Sequence, residues 1–432
     1  MKIQSLTMGC SKNRVDTEHI LRQLELNGWE ISPENYSLKD GDVDVLLINT
    51  CGFIEDAKVE SIETILEALE YKKAGYISKV VVMGCLSERY MDELKESIPE
   101  VDAYLGAYDL EDTLKVFKAE LDKSKLTERY LTTPSHYAFL KISEGCDRHC
   151  SYCAIPGIRG PQVSISMEDL LIEAKNLIKA GAKELIVIAQ DTTYYGVDLY
   201  GKKMLGTLLA KLDKLEGVEW IRIHYSYPQS FPEDVLDIMN TSKKIVKYMD
   251  IPLQHSSTPV LKAMRRHIDE EGTRAIVQKM REKVPGIVIR TTMMVGHPGE
   301  TRADFENLLQ FVKDNRFERL GAFTYSEEEG TWGAKNLEDN IPQDVKDSRY
   351  EELMEVQSDI SSEFNLSRIG SIEKVLIDSY NDNMYYGRTS KESPEVDGEV
   401  LIESDDNGKL VGTFQKVKIV GADEYDLFGK FY

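Results

Sequence analysis

The sequence predicts a multidomain α/β chain of three parts: an open parallel-sheet α/β domain, a partial TIM-like (β/α)6 barrel and a small antiparallel β-barrel. Three observations carry this. Strand-length apolar runs alternate with helical ones over about the first 123 residues, six more strand–helix units follow, and the last 60 or so residues break into short β runs. A length of 432 residues is also too great for one ordinary core.

In the first part, strands at 3–8, 43–49, 79–83 and 101–105 alternate with helices at 15–26, 57–71, 90–97 and 110–121, the pattern of βαβ units. Cys10, Cys51 and Cys85 each follow a strand directly. In an open parallel sheet the carboxyl ends of the strands lie along one edge, where ligands bind, so the three converge. A single buried Cys at a strand end is usually a small hydrophobe. Three in one topological position favour a metal or iron–sulfur cluster.

Strands of the middle part fall at 137–143, 184–189, 220–225, 247–253, 287–294 and 320–325, with helices between them. The active site of such a barrel belongs at the carboxyl ends of its strands. The first of these ends leads into EGCDRHCSYCAIPGIRG, residues 144–160, which holds Cys146, Cys150 and Cys153. Three thiolates at C-x3-C-x2-C spacing occupy three corners of an iron–sulfur cube and leave one iron open to a small molecule. A zinc loop with His149 as fourth ligand is the alternative, but His149 adjoins Cys150 and sharing one metal would strain the loop. The other strand ends carry Gln190-Asp191, Ser226-Tyr227, Gln254-His255 and Gly296-His297-Pro298-Gly299-Glu300. His255 and His297 read as hydrogen-bonding rather than acid–base residues. Arg159 and Arg290, as planar bidentate donors, are candidates for carboxylate contacts.

A charged helix at 345–364 connects to β runs at 372–377, 385–388, 399–402, 416–420 and 425–430, a small antiparallel barrel. Residues 366–432 carry 8 basic and 13 acidic side chains. The whole chain has 53 basic and 75 acidic residues, a formal charge of −22. That charge disfavours direct nucleic-acid binding and favours a basic protein partner. Six cysteines are too few for a disulfide scaffold, and neither a leader-like apolar run nor a membrane-length one is present, so a cytoplasmic, membrane-free chain is expected.

With all six cysteines placed, the chain resembles the radical S-adenosylmethionine (SAM) methylthiotransferases along its length. The resemblance rests on MGCSKNRVD (8–16), NTCGFI (49–54), SEGCDRHC (143–150) with Tyr152 and CAIP (153–156), AQDT (189–192) and IPLQHS (251–256). It is nearest to the branch acting on a ribosomal protein, since the tRNA branch is expected to have Gln-Asn-Val at 190–192. The resemblance implies a methylthiotransferase N-terminal domain at 1–123, a radical SAM core with connecting helix at 132–365 and a TRAM-like barrel at 366–432. It further implies two 4Fe–4S clusters, one on Cys10, Cys51 and Cys85 and one on Cys146, Cys150 and Cys153. The second of these would bind SAM, with Tyr152, Gln190, Arg290, Gly296 and Glu300 as candidate contacts.

The implied reaction attaches a methylthio group to the β-carbon of an aspartate in the twelfth protein of the small ribosomal subunit. The implied partners are that protein, free or in the ribosome, a flavodoxin-like or similar electron donor and a sulfur donor. The same chemistry on a tRNA adenosine is the rival within the family. A non-catalytic electron-transfer protein is the rival outside it, although a two-cluster ferredoxin needs eight Cys. Two positions depart from the family pattern: Val163-Ser164-Ile165 stands where arginines are expected, and Glu327 where a basic residue is.

Overall fold

A computed structural model describes residues 1–34, 37–40 and 43–432. The first domain is a five-stranded, wholly parallel sheet of β1 (Lys2–Thr7), β2 (Glu30–Ser32), β3 (Val45–Thr50), β4 (Lys79–Gly84) and β5 (Ala103–Tyr104), in the order β2-β1-β3-β4-β5. All six residues of β3 are buried, as a strand covered on both faces must be. The helix Ser11–Leu26 covers one face with Ile20, Leu21 and Leu24. The helix Glu55–Lys73 covers the other with Ile65 and Ala68. The first helix begins directly after Cys10, four residues before the apolar pattern announces it, because its opening residues are polar. The edge strand β2, three residues long, gives no sequence signal.

The middle domain runs through β6 (Tyr137–Lys141), the short hairpin of β7 (Ser143–Glu144) and β8 (Val163–Ser164), then β9 (Glu184–Ile188), β10 (Trp220–Ile223), β11 (Ile245–Asp250), β12 (Val288–Val295) and β13 (Arg319–Thr324). Six of these form one parallel sheet in the order β13-β12-β11-β10-β9-β6, so the six strand–helix units make an open partial barrel. Alternate side chains face the helices, among them Leu140, Leu185, Val187, Ile221, Ile223, Met249 and Ile289, and form the main core. The helix Gln343–Leu366 belongs to that core through Leu353 and Ile360.

The last domain is a closed barrel, ordered β14-β15-β16-β18-β17, of β14 (Ile372–Asn381), β15 (Met384–Arg388), β16 (Val400–Glu403), β17 (Phe414–Ala422) and β18 (Leu427–Phe431). Its small core includes Val375, Ile377, Tyr385, Val400, Ile402, Val417, Ile419 and Leu427.

The loop joining β15 to β16 closes the amino-terminal end of the partial barrel, and every strand of the sheet contributes a contact. Arg388 pairs with Glu184 of β9 at 2.7 Å, and Glu184 also holds Arg222 of β10 at 2.8 Å. Arg222 donates to the Ser390 carbonyl at 3.1 Å. Tyr137 of β6 donates to Glu395 at 3.1 Å, and Tyr248 of β11 to Asp397 at 2.6 Å. Arg290 of β12 lies 3.6 Å from Asp397, and Arg319 of β13 pairs with Glu392 at 3.0 Å. The third domain is therefore part of the barrel's architecture.

Burial raises the carboxyls of Glu184, Asp378 and Glu392, but the arginines beside them outweigh it and hold all three below the usual carboxylate range. A depressed carboxyl contributes stability that is complete above its unfolded value and is lost as pH falls through the folded one. These three groups thus leave the docking of the third domain undiminished from neutrality down to about pH 4.5 and weaken it only below that, while Asp397, raised by burial, acts in the opposite sense. Fluorescence of Trp220, whose ring meets Phe414 of the third domain at 4.7 Å, followed across an acid titration, checks this. A loss of docking between pH 5 and 7 would contradict it.

Candidate functional site

The two cysteine triplets lie at the carboxyl ends of strands in two different sheets, and those edges face each other. In the first domain Cys10 follows β1, Cys51 directly follows β3 and Cys85 directly follows β4. All six cysteines are free. Asn13 gathers two of the three: its Oδ1 accepts from Cys10 Sγ at 3.9 Å and from Cys85 Sγ at 3.7 Å. Its amide donates to the carbonyls of Met8 and Thr50, tying the first two cysteine loops together. Close approach depends on glycine. A Cβ on Gly9, at φ +80°, would stand 2.7 Å from Cys51 Sγ, and one on Gly52 would stand 2.6 Å from the Leu86 backbone.

The second triplet follows β6 and the two-residue β7. Its loop is pinned on both sides: Cys146 N–H donates to the Gly160 carbonyl, Ser151 N–H to Met264, and Gly333 N–H to Ser151. The backbone N–H of Arg148 donates to Cys146 Sγ at 3.4 Å, and Arg266 Nη1 to Cys150 Sγ at 3.6 Å. Burial pushes the thiols of Cys85 and Cys146 up, to about 11 and about 12, and raises those of Cys51 and Cys153 as well. Such thiols ligate only when a metal displaces their protons.

The two loops meet. Cys85 packs with Ala154 and Ile158, which follow Cys153. Arg159 crosses the interface: Nη2 donates to Asn13 Oδ1 at 2.5 Å and lies 3.5 Å from Cys85 Sγ, while Nη1 pairs with Asp16 at 2.7 Å and Glu144 at 3.2 Å. Lys141 bonds the same two carboxylates, Glu144 at 2.6 Å and Asp16 at still closer range. Burial raises the Glu144 carboxyl, but Lys141 and Arg159 overcome it and hold it at about 2. Asp16 has no solvent access, so there burial wins and the carboxyl is raised despite the same cations. On the far side of the interface, Lys58 and Arg89 of the first domain converge on Glu328 at 3.2 and 2.8 Å.

The SAM candidates divide. Gln190 donates to Glu144 at 2.6 Å and keeps its Oε1 buried and unpaired; Arg148 Nη2, Gln254 Oε1 and the Tyr325 hydroxyl are likewise unpaired. Tyr152 lies beside this group and accepts from Arg266 at 3.4 Å. These orphaned polar atoms fit a cluster with a polar ligand on it. Arg290, Gly296 and Glu300 do not join them. Arg290 is spent on Asp250 and Asp397 beside the plugging loop. Glu300 pairs with Arg349 at 2.6 Å and accepts from Gly296 N–H at 2.9 Å, so both brace their own turn. Arg159 likewise serves internal carboxylates. His297 bonds Ser151 Oγ at 3.1 Å, and burial holds its ring neutral by lowering it to about 4, the hydrogen-bonding role expected of it.

Sequence reading missed Arg266, which lies in no motif, and Asn13 and Arg148, which lie inside the quoted ones. Among the described residues no three His, Cys, Asp or Glu side chains converge as they would on one ion. In a cube each thiolate takes its own iron.

A partial (β/α)6 barrel with C-x3-C-x2-C after its first strand, facing a second three-thiol edge, is the arrangement of a radical SAM enzyme. The radical SAM superfamily model matches residues 140–312, uncharacterized protein family UPF0004 matches 2–106, and the TRAM domain matches 369–431. The chain is 50% identical to ribosomal protein uS12 methylthiotransferase RimO of Cytophaga hutchinsonii over 429 residues, covering 99% of this chain and 97% of that one. It is equally similar to those of Bacteroides fragilis over 432 residues and Porphyromonas gingivalis over 434, covering 99% and 98% in each case. It therefore belongs to the RimO family of uS12 methylthiotransferases. In fold it is similar to the radical SAM methyltransferase TsrM of Kitasatospora setae with cobalamin and a [4Fe-4S] cluster bound (TM-score 0.55, 11% identity, 75% of this chain and 72% of that one). It also resembles the cobalamin-dependent radical enzyme OxsB (TM-score 0.54, 13% identity, 83% and 56%).

Proposed function

We propose that this chain methylthiolates the β-carbon of an aspartate in ribosomal protein uS12, with Cys146, Cys150 and Cys153 holding the SAM-binding cluster and Cys10, Cys51 and Cys85 the second. The observation that carries this reading is the packing of Cys85 against Ala154 and Ile158. It sets two incomplete thiolate sets on either side of one interface, as a reaction needing both requires. When bound, the clusters and SAM supply a hydrogen-abstracting radical and a methylated sulfur.

The chain's own residues do the rest. Gln190, Arg148 and Tyr152 line the cofactor side with buried polar atoms. Asn13 and Arg159 fix the second triplet relative to the first. Val15, packed on Tyr137, Phe139, Ile186 and Ile188, seals the lumen beneath the site against water. The formal charge of −22 supports a basic ribosomal protein as substrate. A reductant and a sulfur donor act from outside the chain, the former flavodoxin-like or of similar potential. Among the described residues no helix is long and apolar enough to cross a membrane.

Mass spectrometry tests the reading. The reconstituted, reduced protein with SAM and a sulfide source is expected to add one methylthio group to an aspartate of recombinant uS12 and none to tRNA. Modification of tRNA alone would overturn it.

A further inference from the structure

Lys12 stands two residues after Cys10, in the first turn of the helix Ser11–Leu26, and is only 9% exposed. Its ammonium lies 3.3 Å from the centroid of the Tyr225 ring, on the carboxyl end of β10, and its charge acts on both Cys10 and Cys51. It therefore sits between the second cysteine triplet and the mouth of the barrel.

Its neighbours are committed and it is not. Lys141 and Arg159 share Asp16 and Glu144, Arg148 holds Asp191, and Arg290 holds Asp250 and Asp397. Asp250, whose charge acts on Lys12 without pairing with it, is held by Arg290 and accepts the Tyr225 N–H at 2.9 Å. No carboxylate among the described residues pairs with Lys12. Its ammonium is therefore held at the mouth of the barrel with a ring face as its direct partner and no ion pair among the described residues.

The ring that receives Lys12 is held in place by force. Tyr225 has φ +58°, a left-handed conformation costly for a bulky residue, and its carbonyl is fixed by the Thr192 N–H at 3.0 Å and the Thr192 hydroxyl at 3.3 Å.

Resting on the function proposed above, we infer that the Lys12 ammonium receives the side-chain carboxylate of the substrate aspartate. That carboxylate is one bond from the β-carbon, so its capture at Lys12 presents the β-carbon to the space between the two cysteine loops. Lys12 is then the residue that requires an acid at the modified position.

The test is a double-mutant cycle on the reconstituted holoenzyme. Fluorescently labelled recombinant uS12, and uS12 with its modified aspartate changed to Asn, are titrated against wild type, Lys12→Met and Lys12→Arg. Wild type is expected to bind the Asp form roughly tenfold or more tightly than the Asn form, as for a hydrogen bond to a charged group. Lys12→Met loses that difference, Lys12→Arg recovers part of it, and iron per chain stays at the wild-type value. An undiminished Asp/Asn preference in Lys12→Met overturns the inference alone. Loss of iron overturns it too, by assigning Lys12 to the cluster. Wild type that leaves uS12 unmodified overturns the function and this inference together.

Discussion

Cys85→Ala is expected to yield no methylthio product above background, while SAM is still cleaved to 5′-deoxyadenosine and iron falls from about eight to about four per chain. The reason is positional. Cys85 is the first residue after β4, 5% exposed, and the sulfur lost belongs to the triplet on the first domain's edge. The other triplet rests on a separate loop, held by the Gly160, Met264 and Ser151 backbone bonds, none of which involves Cys85. Alanine removes one buried atom and keeps the small apolar contact with Ala107, Ala154 and Ile158, so the fold survives the change. Iron analysis, chromatography of 5′-deoxyadenosine and mass spectrometry of uS12 read the three quantities separately. Full methylthio product from this variant would remove the second site from the mechanism.

Glu184→Ala is expected to destabilise the protein by about 3–5 kcal/mol, the cost of removing one partner from a buried ion pair. Glu184 is wholly buried and serves two fully buried guanidiniums, Arg222 at 2.8 Å and Arg388 at 2.7 Å. Without it, Arg222 loses its carboxylate partner, Arg388 keeps only Asp378, and the loop from Arg388 onward loses one of its contacts to the barrel. Glu184→Gln, which keeps a hydrogen-bond acceptor but no charge, should fall between. Urea unfolding followed at Trp220 measures the change. A loss below about 1 kcal/mol would mean that the third domain docks independently of this pair.

Cys85 and Glu184 differ in how far the sequence announces their roles. Cys85 was visible because it directly follows an apolar run, and apolar runs alternating with helical ones need no long-range information. The same local logic found all six barrel strands and the five strands of the last barrel. It missed β2, where three half-polar residues carry no period. In the sequence Glu184 is only the first residue of a strand. Its partner Arg388 lies 204 residues away, in another domain.

Arg290, Gly296 and Glu300 show the same boundary from the other side. Each has the right chemistry for a cofactor and lies on a strand of the barrel or in the loop that follows one, yet Asp250 and Asp397 claim Arg290, while Arg349 and the loop's own backbone claim Glu300 and Gly296. By itself the sequence determined the three-part fold, the two cysteine triplets and their place at strand ends, because spacing and periodicity are properties of neighbouring residues. Only the tertiary structure decided that the triplets face each other, that Arg159 joins them, that a loop of the last domain plugs the barrel and that Lys12 meets a ring face and no ion pair among the described residues. A charged side chain's role depends on which opposite charge the fold brings within about 4 Å, and the decisive partners here come from distant parts of the chain.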